Sequence, residues 1–297
     1  MTTPSAAATS DLGTRLADYW ALTKPRLSAL VLATTGAGFL LAPRSSATLL
    51  PLAFALLGTI LVVGGANALN QVYEREIDSL MRRTRDRPLP SGRLWAGPAG
   101  FFGAALAVLG IAVLALQVNL LSAALGAAGF VLYVFVYTPL KRLSWLCTLV
   151  GAIPGATPPM IGWAAATGQL DRTAAVLFAI LFFWQMPHFL AIARLFREDY
   201  RNAGMVMTGV QENDPQAYRH MIFYCAVLIP ISASLAWTGA TGTVYLAGAI
   251  LLGAGFLASA VRAALNPSRQ TDRAAFFYSL IYLPALLALM LLDRQLV

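Results

Sequence analysis

The sequence predicts an all-α polytopic membrane protein built as a nine-helix bundle, and three observations carry that expectation. Of the 297 residues, 58% are hydrophobic and only 11% are charged, and the mean hydropathy is +0.68. Apolar runs of roughly 17–25 residues, the length a helix needs to cross a hydrocarbon core, recur along nearly the whole chain. The cations between these runs fall mostly on alternate connections. Such a composition excludes a soluble globule. The net charge of +8 does not indicate nucleic acid as a partner, because the basic residues cluster between apolar runs; the expected surroundings are membrane lipid.

The N-terminal residues 1–22 are expected to form a cytoplasmic tail. Residues 1–20 are polar and Ala/Thr/Ser-containing, with no basic segment leading into an apolar one, so neither a cleavable signal nor a transit peptide is expected. Spans follow at approximately 27–43, 49–73, 96–117, 119–137, 144–164, 173–193, 220–238, 243–263 and 275–292. Gly64-Gly65-Ala66 should let the second span pack closely on a neighbour. Pro154, Pro158 and Pro159 should interrupt the fifth span and Pro187 the sixth, with local kinks at each. Cys147 and Cys225 are isolated thiols, unlike a disulfide framework or a zinc site. Placing the N-terminus with the even-numbered connections gives one side 18 of the 21 Lys and Arg, leaving Arg44, Arg172 and Arg294 opposite. The positive-inside bias then sets the N-terminus in the cytoplasm and the C-terminus outside.

Chemistry concentrates where the second span ends. Asn70, Glu74 and Asp78 are spaced i, i+4, i+8, so on a helix they share one face over about 12 Å. Oxygen ligands on one face suit a hard cation such as Mg²⁺, which also takes water and phosphate oxygens. Arg83 and Arg87 follow directly and can hold the same phosphates bidentately. The bland alternative is an amphipathic helix end whose arginines only anchor topology. Partial insertion behind apolar residues, and a second array later in the chain, favour the site. That second array is His188, Arg194, Arg197, Glu198, Asp199, Tyr200 and Arg201. Its adjacent carboxylates cannot share a helical stripe, so one should face the site while the other pairs with an arginine.

A third element, Tyr137-Thr138-Pro139-Leu140-Lys141-Arg142, places two cations within reach of a phosphate, or is an ordinary proline turn. His188, after Pro187 inside an apolar run, is either satisfied by a neighbouring helix or functional. Phe182, Phe183, Trp184 and Phe189 read as packing or lipid-facing residues, and Tyr133, Tyr137, Trp145 and Trp163 as an interface belt. The 202–218 connection is long enough to cap a site.

These residues carry a family likeness over about 20–292. Asn70-x-x-x-Glu74-x-x-x-Asp78 followed by Arg83-Thr84-Arg85-Asp86-Arg87-Pro88-Leu89 resembles the first acidic motif of the UbiA-type intramembrane prenyltransferases. The 137–142 turn is similar to a turn of that family. Trp184-Gln185-Met186-Pro187-His188-Phe189, with Arg197-Glu198-Asp199-Tyr200 and Ala203-Gly204, resembles its protohaem IX farnesyltransferase (haem O synthase) branch. Two features depart from the superfamily pattern. Glu74 stands where many members have Asp, and the adjacent Glu198-Asp199 replaces a spaced second motif, so the two are kept as a pair.

The resemblance implies one UbiA-type domain over 23–297, with nine helices around a central cavity in a bacterial plasma (inner) membrane and the active site near the cytoplasmic face. It implies Mg²⁺-dependent transfer of farnesyl from farnesyl diphosphate to a vinyl group of haem B, a substrate rather than a cofactor. The product would be haem O, the precursor of haem A, with possible partners in haem A synthesis or oxidase assembly. Asn70, Glu74, Asp78, Glu198 and Asp199 would serve the metal and catalysis. Arg83, Arg87, Lys141, Arg142 and Arg197 would serve the diphosphate, and His188 the haem. Two alternatives stand beside it: a UbiA-type enzyme acting on an aromatic quinone-precursor ring, and a secondary transporter with polar residues along its path.

Overall fold

The computed structural model describes residues 12–43, 49–210 and 215–294. Among these residues there are helices and turns and no strand, as expected where a backbone must satisfy its own hydrogen bonds away from water. Residues expected to be tail form helix α1 (Leu12–Leu22), which turns Asp18 and Leu22 inward. At Lys24 the chain takes φ 49°, the one positive φ outside glycine among the described residues. Pro25 then opens α2 (Pro25–Leu41), where its fixed φ already suits a helix.

The next helix, α3 (Leu50–Ser79), holds this elbow: Asn67 Nδ2 donates to Thr23 O at 3.2 Å and Gln71 Nε2 to Leu22 O at 2.8 Å. Its 30 residues reach about 45 Å, well beyond a hydrocarbon core of about 30 Å. The span expected to end at residue 73 therefore continues, and the polar face stays on one unbroken helix.

The chain then forms α4 (Ala96–Gln117) and α5 (Leu120–Val131), which widens into a π-helical turn over Leu132–Tyr137 before α6 (Thr138–Leu140). The fifth expected span is two helices, α7 (Cys147–Ala156) and α8 (Pro158–Thr167), separated at Thr157, where Pro158 supplies no N–H to continue the ladder. By contrast α9 (Arg172–Leu195) runs on through Pro187 as one helix. Asp171 starts this helix by accepting from Thr173 N and Ala174 N. The short α10 (Arg197–Asn202) precedes α11 (Pro215–Ser234), which a 3₁₀ turn over Leu235–Thr238 extends; α12 (Thr243–Leu265) and α13 (Arg269–Arg294) complete the bundle.

Seven of these stretches are long and apolar enough to cross a membrane: α3, α4, α5 with α6, α9, α11 with its 3₁₀ turn, α12 and α13. The two remaining expected spans fall on α2, at 17 residues, and on the α7–α8 pair, at 10 residues each. Small residues set the helix spacing. A Cβ on Gly65 would strike Gly103 O and Ala107 N of α4, so the run expected to allow close packing does so against α4. Across the bundle, α9, α11, α12 and α13 bury Trp184, Tyr218, Tyr245, Phe256 and Tyr282 in one core.

Gly162 on α8 meets α2 backbone to backbone, with Thr35 O and Phe39 N where a Cβ would sit. Gly162→Ala should therefore destabilise the fold by about 1–3 kcal/mol, read as a lower unfolding temperature in detergent. Gly97→Ala, with nothing within 4 Å of the new Cβ, should leave that temperature unchanged.

Candidate active site

The i, i+4, i+8 spacing on α3 does place Asn70, Glu74 and Asp78 on one face, and all three are buried, at 1%, 4% and 1% exposure. Buried carboxylates must be paired or they lose their charge, and each finds a cation from a different connection. Lys141, directly after α6, reaches Glu74 Oε1 at 2.9 Å and Oε2 at 3.2 Å. Arg87, in the connection after α3, reaches Asp78 Oδ2 at 2.8 Å, while Thr84 Oγ1 donates to Asp78 O. Asn70 takes Lys24 Nζ on Oδ1 at 3.1 Å and gives Nδ2 to Thr138 Oγ1 at 3.1 Å. The left-handed turn at Lys24 is what aims that ammonium at α3.

This array lines the polar end of a cavity of about 440 Å³. Four cations (Lys24, Arg83, Arg87 and Lys141) and two carboxylates (Glu74 and Asp78) line it, a surplus of positive charge suited to a polyanion. Burial, then Arg87 and Lys141, push the Lys24 pKa down to about 7, so an arriving anion would restore its proton. Burial also penalises the Lys141 ammonium, but Tyr137 and Glu74 outweigh it and hold its pKa well above the ordinary lysine value. Lys141 Nζ lies 4.5 Å from the centre of the Tyr137 ring. Arg83 donates to Tyr200 OH at 3.2 Å and covers the Phe196 ring at 4.9 Å.

The other end is apolar. Leu30, Val31, Val62, Phe130 and Ile161 enclose it, and Trp184, His188 and Phe189 form a wall on α9. A charged mouth above a hydrocarbon-lined chamber fits a molecule with an anionic head and a long apolar tail.

Among the described residues no group of three or more His, Cys, Asp or Glu side chains forms a metal cage. The donor set still fits Mg²⁺, an ion that keeps waters and shares itself with phosphate oxygens. Glu74 Oε1 is buried and, despite its ion pair, accepts no hydrogen bond, which leaves a carboxylate lone pair for a cation beside Asn70 and Asp78.

The second array is divided: His188 and Tyr200 line the cavity, and its two carboxylates do not. Glu198 is exposed and Asp199 half-buried, accepting from Arg82 N at 3.4 Å. Neither they nor Arg197 and the exposed Arg142 lie on the cavity wall. From this segment it is Tyr200 and Met205 that reach the wall. Tyr133, Tyr137, Trp184 and Phe189, expected as belt or packing residues, line the cavity, and Trp163 is buried at 2% exposure rather than at an interface. Lys24 escaped sequence reasoning because one more cation beside a span looks like a topology anchor. The 202–218 connection reaches the site through Met205, with Val206 N donating to Lys141 O at 2.9 Å; its residues 211–214 lie outside the described ones.

Comparison with known proteins matches residues 31–281 to the UbiA prenyltransferase family. The chain is 49% identical over 287 residues to a protoheme IX farnesyltransferase of Solibacter usitatus, covering 93% of this chain and 98% of that one. It is 44% identical over 289 residues to a protoheme IX farnesyltransferase of Myxococcus xanthus, covering 97% and 98%. The fold matches that of a UbiA homologue from Archaeoglobus fulgidus bound to DMAPP and Mg²⁺, with a TM-score of 0.65 at 15% identity, over 92% of this chain and 99% of the other.

The pairing of Glu74 with Lys141 makes a stability prediction. Lys141→Met should cost about 3–5 kcal/mol by stranding a buried carboxylate. Adding Glu74→Gln should recover much of that loss, both measured as thermal unfolding without ligand.

Proposed function

The chain belongs to the UbiA prenyltransferase family, and we propose that its cavity binds farnesyl diphosphate with Mg²⁺ and transfers the farnesyl group to a vinyl group of haem B, giving haem O. The observation that carries this reading is the buried Asn70–Glu74–Asp78 face opposed by Lys24, Arg83, Arg87 and Lys141 at the mouth of an apolar chamber. The protein is an integral membrane prenyltransferase. Relatives at 44–49% identity that are protoheme IX farnesyltransferases favour haem over a quinone-precursor ring.

Asn70, Glu74 and Asp78 would hold the metal together with the diphosphate. When bound, Mg²⁺ neutralises diphosphate charge. The chain's own residues do the rest. Lys24, Arg83, Arg87 and Lys141 stabilise the negative charge that grows as the allylic carbon–oxygen bond breaks and its electron pair leaves with diphosphate. The apolar walls exclude water from the allylic cation, and the Tyr133 and Tyr137 faces attract it. The vinyl π electrons then form the new carbon–carbon bond, and the cation this leaves on the vinyl carbon beside the porphyrin ring takes up water and releases a proton, so that the product carries a hydroxyl there. His188, on the α9 wall, meets the haem. Glu198, Asp199, Arg142 and Arg197 lie off the cavity wall and would meet a second cation or the departing diphosphate only outside it. In this reading the mouth lies on the cytoplasmic side of a bacterial inner membrane, within one domain over 23–297, and the excess of Lys and Arg on those connections supports that orientation.

Purified protein given haem B, farnesyl diphosphate and Mg²⁺ should yield a prenylated haem by mass. Asp78→Ala should reduce turnover by at least about 100-fold while unfolding as a cooperative protein, and chelation should do the same to wild type. Near-normal turnover of Asp78→Ala at saturating diphosphate would refute the metal role. For topology, a cysteine at Ser91 should label from the cytoplasmic side and one at Thr167 or Gly239 from outside; Cys147 and Cys225 are buried and supply little background.

A further inference from the structure

His188 carries a more specific arrangement than its place on the wall. Its ring lies between Trp184 and Phe276, with centroids at 5.1 and 5.3 Å and planes within 18° and 27° of parallel. Its Nδ1 is 2.7 Å from Ser279 Oγ, on α13. Ser279 is fully buried, and its hydroxyl donates to Phe276 O at 2.5 Å. A hydroxyl has one proton. With that proton committed to Phe276 O, Ser279 Oγ can only accept from His188, so Nδ1 carries the hydrogen and Nε2 keeps its lone pair. The Ser279 carbonyl also accepts from Trp184 Nε1 at 2.9 Å, so one residue of α13 fixes both the imidazole and the indole stacked on it.

We infer that Ser279 is a positioning residue for the acceptor half of the reaction: it holds His188 in the Nδ1–H tautomer and presents an unprotonated Nε2 to the iron of haem. The inference rests on the reading of His188 as the residue that meets haem. A ligating imidazole is oriented by the partner of its other nitrogen, and loss of that partner weakens the iron bond without touching it. Without the Ser279 hydroxyl, the proton is free to move to Nε2 and the ring to turn between its two aromatic neighbours. Diphosphate binding, at the far end of the cavity, does not depend on this tautomer.

The test titrates ferric haem B into the purified full chain in detergent, following the Soret band for wild type, Ser279→Ala, Ser279→Thr and His188→Ala, with farnesyl diphosphate affinity measured for each. Ser279→Ala should weaken haem binding about 10-fold and move its spectrum toward that of His188→Ala. Ser279→Thr, which keeps the hydroxyl, should restore the wild-type spectrum, and diphosphate affinity should be unchanged throughout. A wild-type spectrum and haem affinity in Ser279→Ala, where His188→Ala loses both, would overturn the role of Ser279 alone. Equal losses of haem and diphosphate binding in Ser279→Ala would overturn it too, marking a general packing defect. A wild-type spectrum in His188→Ala would instead overturn the reading of His188, and the inference with it.

Discussion

Everything at this site follows from the burial of two carboxylates on one helix face. Glu74 and Asp78 are almost inaccessible to water, and an isolated carboxylate there would lose its proton only at great cost. The fold meets that cost with Lys141 and Arg87, each on a different connection. It meets a similar demand at Asn70 with Lys24. Three separate stretches of chain are therefore drawn to one face of α3, and their convergence closes the cavity's polar end. The elbow between α1 and α2 illustrates the coupling. Asn67, about one turn before Asn70, and Gln71, directly after it, hold the elbow's carbonyls, and that hold delivers Lys24.

Much of this was legible in the sequence. Hydropathy and length located the long helices, and the four-residue spacing placed Asn70, Glu74 and Asp78 together because a helix allows nothing else. Small residues marked the tight α3–α4 contact, since Gly65 leaves room for the Gly103 carbonyl. The rest depended on tertiary geometry. Proline does not specify whether a helix breaks: Pro158 ends a ladder at Thr157, whereas Pro187 sits in one that continues. Aromatic residues near helix ends face lipid or cavity according to packing, so Tyr133 and Tyr137 gave no sign of their side. Lys24 was indistinguishable from its basic neighbours until the left-handed turn at its own backbone aimed it inward. The second acidic pair misled in the opposite sense, because α10 points Glu198 outward and brings Tyr200 to the wall instead.

In the proposed reaction the same cations would serve two anions in turn. Lys141 and Arg87 neutralise Glu74 and Asp78 directly, which leaves those carboxylates poised for a metal yet already satisfied. A diphosphate entering with Mg²⁺ would offer a match on both sides: the carboxylates would hold the divalent ion, and the ammonium and guanidinium would be freed for phosphate oxygens. The two would bring opposite and nearly cancelling charge into the pocket, and the small excess of negative charge would fall to Lys24 and Arg83. Either component alone would upset that balance, the metal by crowding cations against one another and the diphosphate by drawing the cations from their carboxylates. In that reading, joint entry of metal and diphosphate would be favoured over entry of either alone, because the carboxylates are buried with cations already on them.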